Sequence, residues 1–322
     1  MPATPLTAQE CYLLERYTSL EYYGRMRDAW EAMVRYVEDL LDRYMQHLPD
    51  AYRNRPLPKQ PDVVWGERVL PNFRSTLQSL YDGYIKLSHG DWSEWGGIRV
   101  SNDFRGQTEF WPGWMDEVEL GASDKYFDLI NVAVELATNV NATGHAWWSK
   151  GELGDRYSTE RGPLDPPSVW PRYRLDPSIR VASGEPVANA GLYWPEAPDA
   201  AIQFLIPSIA DRSWTMAPEA CVGLTSDGLQ NDHEEPTHWI KIERIDGETV
   251  SDGLTNLLTD QDIKPERVPA NKSCPRTGWW FTPAKANSRR YFKLGDVFPT
   301  IEGSAYGDTY WQWSPDQSLP QL

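Results

Sequence analysis

Residues Cys274–Asp296 read CPRTGWWFTPAKANSRRYFKLGD, three adjacent aromatics followed by four cations in a chain that is otherwise strongly acidic. The stretch has a sister. Moving back 87 residues places Arg267-Val268 on Arg180-Val181, Gly278 on Gly191, Trp280-Phe281 on Tyr193-Trp194, Ala284 on Ala197 and Tyr291-Phe292 on Phe204-Leu205. Further on, Thr309-Tyr310-Trp311 corresponds to Thr237-His238-Trp239, with about 15 extra residues in the first copy. Those extra residues are expected within CVGLTSDGLQNDHEEP, residues 221–236. A glycine that permits an unusual backbone angle, followed by aromatics that need covering, describes a hairpin used twice. The copies span about 180–240 and 267–313. Aromatics duplicated at matching positions point to scaffold rather than catalytic apparatus.

Upstream the periodicity changes. Met33, Val34, Val37, Leu40, Leu41, Tyr44 and Leu48 follow the spacing of an amphipathic helix, and Tyr12, Leu13, Tyr17, Leu20 and Tyr23 precede them in the same rhythm. One long helix or two consecutive ones are therefore expected over about 7–48. A second helical segment is expected over 71–88, and a third after GASDK with Ser123 as its N-cap. The segment 91–120, rich in Gly and Trp, reads as irregular or short helical structure. RGPLDPPSVWPRYRLDPS reads as a proline-rich crossing, so a domain boundary is expected near residue 156. Beyond it, AIQFLI, HWIKIERI and TYWQW alternate like strands. The expected class is α+β: a helical bundle over 1–155, then a β-rich half over 156–322 with a degenerate internal repeat.

Composition narrows the function. A formal charge of −16 argues against a partner bound through its phosphate backbone, and so against nucleic acid. No apolar run approaches membrane-spanning length and no signal-like leader is present, so a cytoplasmic protein is expected. Cys11, Cys221 and Cys274 are odd in number and far apart, which fits reduced thiols. Sixteen tryptophans suit a core, an interface or a sugar platform.

Catalytic patterns are missing. There is no phosphate-binding glycine loop and no GxSxG elbow. In NDHEEPTHW, His233 and His238 stand five apart with Pro236 between them, which spoils the helix face a zinc protease needs and leaves an exposed acidic loop. Neither an enzyme, a cofactor nor a metal site is expected.

The block CPRTGWWFTPAKANSRRYFKLGDVFP with YWQW, preceded by RVASGEPVANAGLYWPEAPDAAIQFLI, resembles the immunity proteins of bacterial polymorphic-toxin and type VI secretion systems, in particular the immunity protein 71 and 72 families. The resemblance covers about 178–315. It implies a non-enzymatic cytoplasmic protein that binds a cognate secreted toxin domain and blocks it. An acidic surface suits a toxin with a basic cleft. The candidate contact residues are Asp227, Asp232, Glu234 and Glu235 in the first-copy insertion, with Asp116, Glu117 and Glu119, flanked by Trp111 and Trp114, as a second group. A carbohydrate-binding or carbohydrate-processing protein using exposed tryptophans is the alternative.

Overall fold

A computed structural model describes residues 4–107, 109–210, 212–223, 233–258, 267–275, 277–285, 287–301 and 309–314. The chain is α+β. Among the described residues six α-helices, α1 (Ala8–Thr18), α2 (Leu20–Gln46), α3 (Leu70–Ser88), α4 (Ile98–Gln107), α5 (Met115–Val118) and α6 (Ala122–Gly144), precede ten strands. The expected first helix is two, because Ser19 turns the chain: its hydroxyl accepts from Tyr22 N and donates to Arg16 O. On α2 the predicted stripe is buried as far as Tyr44, whereas Leu48 lies beyond the helix and is exposed. A π-helical segment, Asp62–Val69, runs directly into α3 and buries Trp65.

Indoles and phenols fill the helical core. Trp30 packs edge-on against Phe73 and donates its Nε1–H to Phe73 O at 3.0 Å. Trp65 meets Trp114 and Tyr126, and Tyr44 meets Trp114 and Tyr52. Most of the unusual tryptophan content is therefore packing, with ten of the sixteen indoles under 10 % exposed. Among the described residues no helix is long and apolar enough to cross a membrane.

The strands are β1 (Trp170–Ala182), β2 (Gly191–Pro195), β3 (Gln203–Leu205), β4 (Ala220–Val222), β5 (His233–Glu235), β6 (His238–Val250), β7 (Arg267–Pro269), β8 (Gly278–Phe281), β9 (Arg290–Phe292) and β10 (Tyr310–Trp313). They form two antiparallel four-stranded sheets, ordered β1-β6-β2-β3 and β7-β10-β8-β9, and a β4-β5 hairpin. The two sheets have one topology and one register. Val181 pairs with Trp239 as Val268 pairs with Trp311, Gly191 with Leu205 as Gly278 with Phe292, and Tyr193 with Lys241 as Trp280 with Trp313. The two glycines share φ values of 157° and 158°. The indole of Trp239 donates to Pro218 O, and that of Trp311 to Pro299 O. Each copy closes its own core, the first around Val187, Tyr193, Leu205 and Trp239, the second around Cys274, Trp280, Phe292 and Trp311. The repeat inferred from aromatics and glycines is thus a structural duplication.

Two expectations are corrected. The proline-rich crossing contains β1, an edge strand, whose register shifts between Pro171 and Tyr173 and between Asp176 and Arg180 accommodate Pro171 and Pro177. The boundary near 156 is also not where the chain divides. The compact units are Met1–Leu257 and Leu258–Leu322, so the helices and the first sheet belong to one unit and the second copy forms the other. The reason is contact: Tyr173 Oη donates to Glu15 at 2.7 Å, Trp194 Nε1 to Thr4 O at 2.8 Å, and Phe204 packs on Trp92 and Trp95.

Trp311→Ala should therefore cost about 3–5 kcal/mol in the second unit, the range for deleting a buried aromatic. Hydrogen exchange on the variant is expected to show lost protection in β7–β10 with β1–β3 and β6 unaffected; equal loss in both sheets would deny separate cores.

Candidate functional site

Comparing the copies pair by pair locates what was added to the first. Ser208 pairs with Val187 as Gly295 does with Cys274, still at an offset of 87. Met216 bridges Pro186 as Val297 bridges Ser273, at an offset of 81. Thr237 O accepts from Ser183 N as Thr309 O does from Ala270 N, at an offset of 72. The extra residues are thus divided, six before Met216 and nine between Ala217 and Thr237, rather than confined to 221–236.

The first insertion is a tight turn. Thr215 Oγ1 accepts from Ile209 N and donates to Arg212 O, Ser208 Oγ donates to Thr215 O, and Arg212 anchors to Ser93 O. The turn presents Trp214 to solvent at 49 % exposure. The second insertion carries the β4–β5 hairpin, in which Glu234 stands opposite Cys221 and Glu235 opposite Ala220. Alternation sends Ala220 and Val222 into the core and Glu234 outward. His233 Nε2 lies 2.8 Å from Glu235 Oε1. Residues 233–235, expected as loop, are a strand because the hairpin pairs them; Asp227 and Asp232 lie outside the described residues.

A third element completes the surface. After α6 the chain turns through Ala146, whose φ of 56° is left-handed and costs a non-glycine residue about 1–2 kcal/mol. Trp147 N bonds back to Ala142 O, closing the helix end. The turn stacks Trp147, 59 % exposed, on His145 with centroids 4.8 Å apart, and His145 in turn meets Trp214 at 5.3 Å. Burial holds the His145 imidazole below its ordinary range, so the shelf is neutral at pH 7. Beside it runs a groove of about 420 Å³ lined by Trp214, Met216, Pro218, Glu219 and Pro236. The result is an aromatic shelf with an apolar groove that Glu219 lines, next to the hairpin strand that carries Glu234 and Glu235. Such a surface suits apolar contact and cation–π pairing with Arg or Lys of a partner. Sequence reasoning missed Trp147 and Trp214, because nothing local separates Trp147 from its neighbour Trp148, which is 1 % exposed.

The second acidic group makes contacts within the fold. Asp116, Glu117 and Glu119 do come together on and just after α5, but each has a partner within the fold. Glu117 takes both Arg55 nitrogens at 2.9 and 3.0 Å and the Tyr44 hydroxyl at 3.2 Å. Glu119 takes Arg43 at 3.1 Å. Asp116 accepts from Ser123 N and Ser123 Oγ at the start of α6, whose N-cap is Gly121 rather than Ser123. These carboxylates join α5 to α2 and α6. Among the described residues no group of three or more His, Cys, Asp or Glu is placed to hold a metal ion.

The hydrogen bonds from Ser123 hold the Asp116 carboxyl below its ordinary range. A depressed acid contributes stability above the unfolded pKa, about 4, and loses it as pH falls through the lower folded value. Asp116→Asn should thus cost about 0.5–1.5 kcal/mol at neutral pH, the net worth of a hydrogen bond, with the difference from wild type disappearing under strong acid in urea titrations.

No protein-family model, no curated protein and no solved structure matches this chain.

Proposed function

We propose that this chain is a non-enzymatic immunity protein of the cytoplasm that binds and neutralises a cognate secreted antibacterial toxin domain with a basic surface. The observation that carries the reading is the aromatic shelf of His145, Trp147 and Trp214 beside the acidic hairpin. Its Trp214 and the hairpin beside it are residues added to a repeated scaffold, the place where binding specificity accumulates without disturbing a core, and His145 and Trp147 join them from the end of α6. Its indoles are held by tight turns, so little side-chain freedom is lost on docking. The net charge of −16 favours encounter with a basic partner. The resemblance of residues 178–315 to toxin-immunity proteins points the same way.

The exposed pair Trp147 and Trp214 also supports the second reading, a carbohydrate platform, since indole faces stack on sugar rings. The two readings separate in one set of measurements. The product of the gene next to this one, co-expressed, should co-purify with the chain. Trp147→Ala with Trp214→Ala should weaken that complex by about 2 kcal/mol or more, roughly thirtyfold. Glu234→Lys with Glu235→Lys should chiefly slow association and flatten its salt dependence. A tryptophan fluorescence response to oligosaccharides, with no binding to the neighbouring product, would replace the toxin reading by the sugar reading.

A further inference from the structure

The duplication allows the two sheets to be compared face by face. In the first copy the face opposite the Tyr193–Trp239 core carries Leu192, Trp194, Phe204 and Ile240, which are 3, 6, 8 and 8 % exposed. It is dry because the helical layer lies on it. Phe204 packs against Trp92, Trp194 donates to Thr4 O ahead of α1, and farther along the same face α1 brings Glu15 to the Tyr173 hydroxyl and, at 3.3 Å, to Arg244.

In the second copy the corresponding positions are Trp279, Phe281, Tyr291 and Gln312, with Tyr310 two residues before Gln312 on the same face. Here Tyr291 is 51 % and Tyr310 42 % exposed, and Trp279 and Phe281 are half-buried. Trp279 and Tyr291 meet edge to face at 5.5 Å, and the Arg289 guanidinium lies 4.4 Å from the Trp279 ring. The surroundings have changed sign as well as exposure. Lys285, Arg289, Arg290 and Lys293 stand where the first copy has Pro198, Ile202, Gln203 and Ile206, of which the last three are at most 5 % exposed. By register Gln203 and Arg290 stand on the inner faces, opposite Tyr193 and Trp280, whereas Ile202 and Ile206, buried in the first copy, have given way to Arg289 and Lys293 on the side of Tyr291.

We infer that this outer face of the β7-β10-β8-β9 sheet is a docking surface for an amphipathic helix of a partner protein that carries carboxylates beside its apolar stripe. Its geometric precedent is the first copy, where the equivalent face accepts a helical layer and a helix-borne glutamate. Its charge precedent is local: four cations in nine residues, Lys285–Lys293, within a chain of net charge −16. The same net charge disfavours the other occupant that an aromatic and cationic face suits, single-stranded nucleic acid. The inference does not depend on the toxin reading, which concerns the first-copy shelf.

The test uses the full chain and three labelled probes followed by fluorescence anisotropy: an amphipathic helical peptide with a Leu/Trp stripe and Glu elsewhere, the same stripe with Lys replacing Glu, and a single-stranded oligonucleotide. The Glu peptide should bind at least about tenfold more tightly than either other probe at low salt. Tyr291→Ser, and separately Lys285→Glu with Lys293→Glu, should each weaken it by about tenfold or more. All three positions are exposed, and unchanged circular dichroism confirms that the variants fold. Trp147→Ala with Trp214→Ala should leave this affinity unchanged. Equal binding of the Lys peptide, tighter binding of the oligonucleotide, or insensitivity to both sets of substitutions overturns the inference. So does concentration-dependent dimerisation that Tyr291→Ser abolishes, because the occupant is then a second copy.

Discussion

The outer face of the first sheet has to be kept dry, and the rest of the larger unit is arranged around that requirement. Leu192, Trp194, Phe204 and Ile240 form an apolar surface on the side of the sheet away from its own core. Burying a side chain of this size contributes about 1.5–3 kcal/mol relative to leaving it in water. The helical layer supplies the cover, and its polar groups are satisfied in doing so: the Trp194 indole reaches Thr4 O, and the Glu15 carboxylate takes both Tyr173 and Arg244. Helices and sheet consequently form one unit, and the chain divides only after Leu257.

Much of this was legible in the sequence, and the misses have particular causes. The repeat could be read because its register is carried by glycines of matched φ and by indoles whose N–H must find a carbonyl, constraints that leave few acceptable residues. Strand β1 was hidden because Pro171 and Pro177 look like breakers; on an edge strand, at bulges, a missing N–H leaves no ladder bond unmade. The acidic residues 116, 117 and 119 were visible as a cluster, but their meaning depends on Arg43, Arg55 and Ser123, which only the fold brings near. Trp147 and Trp148 adjoin in sequence yet differ from open to fully buried, a distinction set by the left-handed turn at Ala146.

Duplication followed by divergence ties scaffold to function. Both copies keep the aromatic inner core and the glycine that opens the hairpin. They differ in what was attached: two insertions that add Trp214 and an acidic hairpin to the first, and cations that include Arg289 over Trp279 beside the exposed aromatics of the second. Opposite charge on two surfaces of one small protein suits two distinct contacts, one with a basic and one with an acidic partner.

The central claim is that equivalent sheet faces are closed in one copy and open in the other. Hydroxyl-radical footprinting of the isolated chain, read residue by residue by mass spectrometry, tests it most directly. Tyr291 and Tyr310 are expected to be modified rapidly, with Trp194 and Phe204 protected until the chain is unfolded. Equal protection of the two sets would contradict the account.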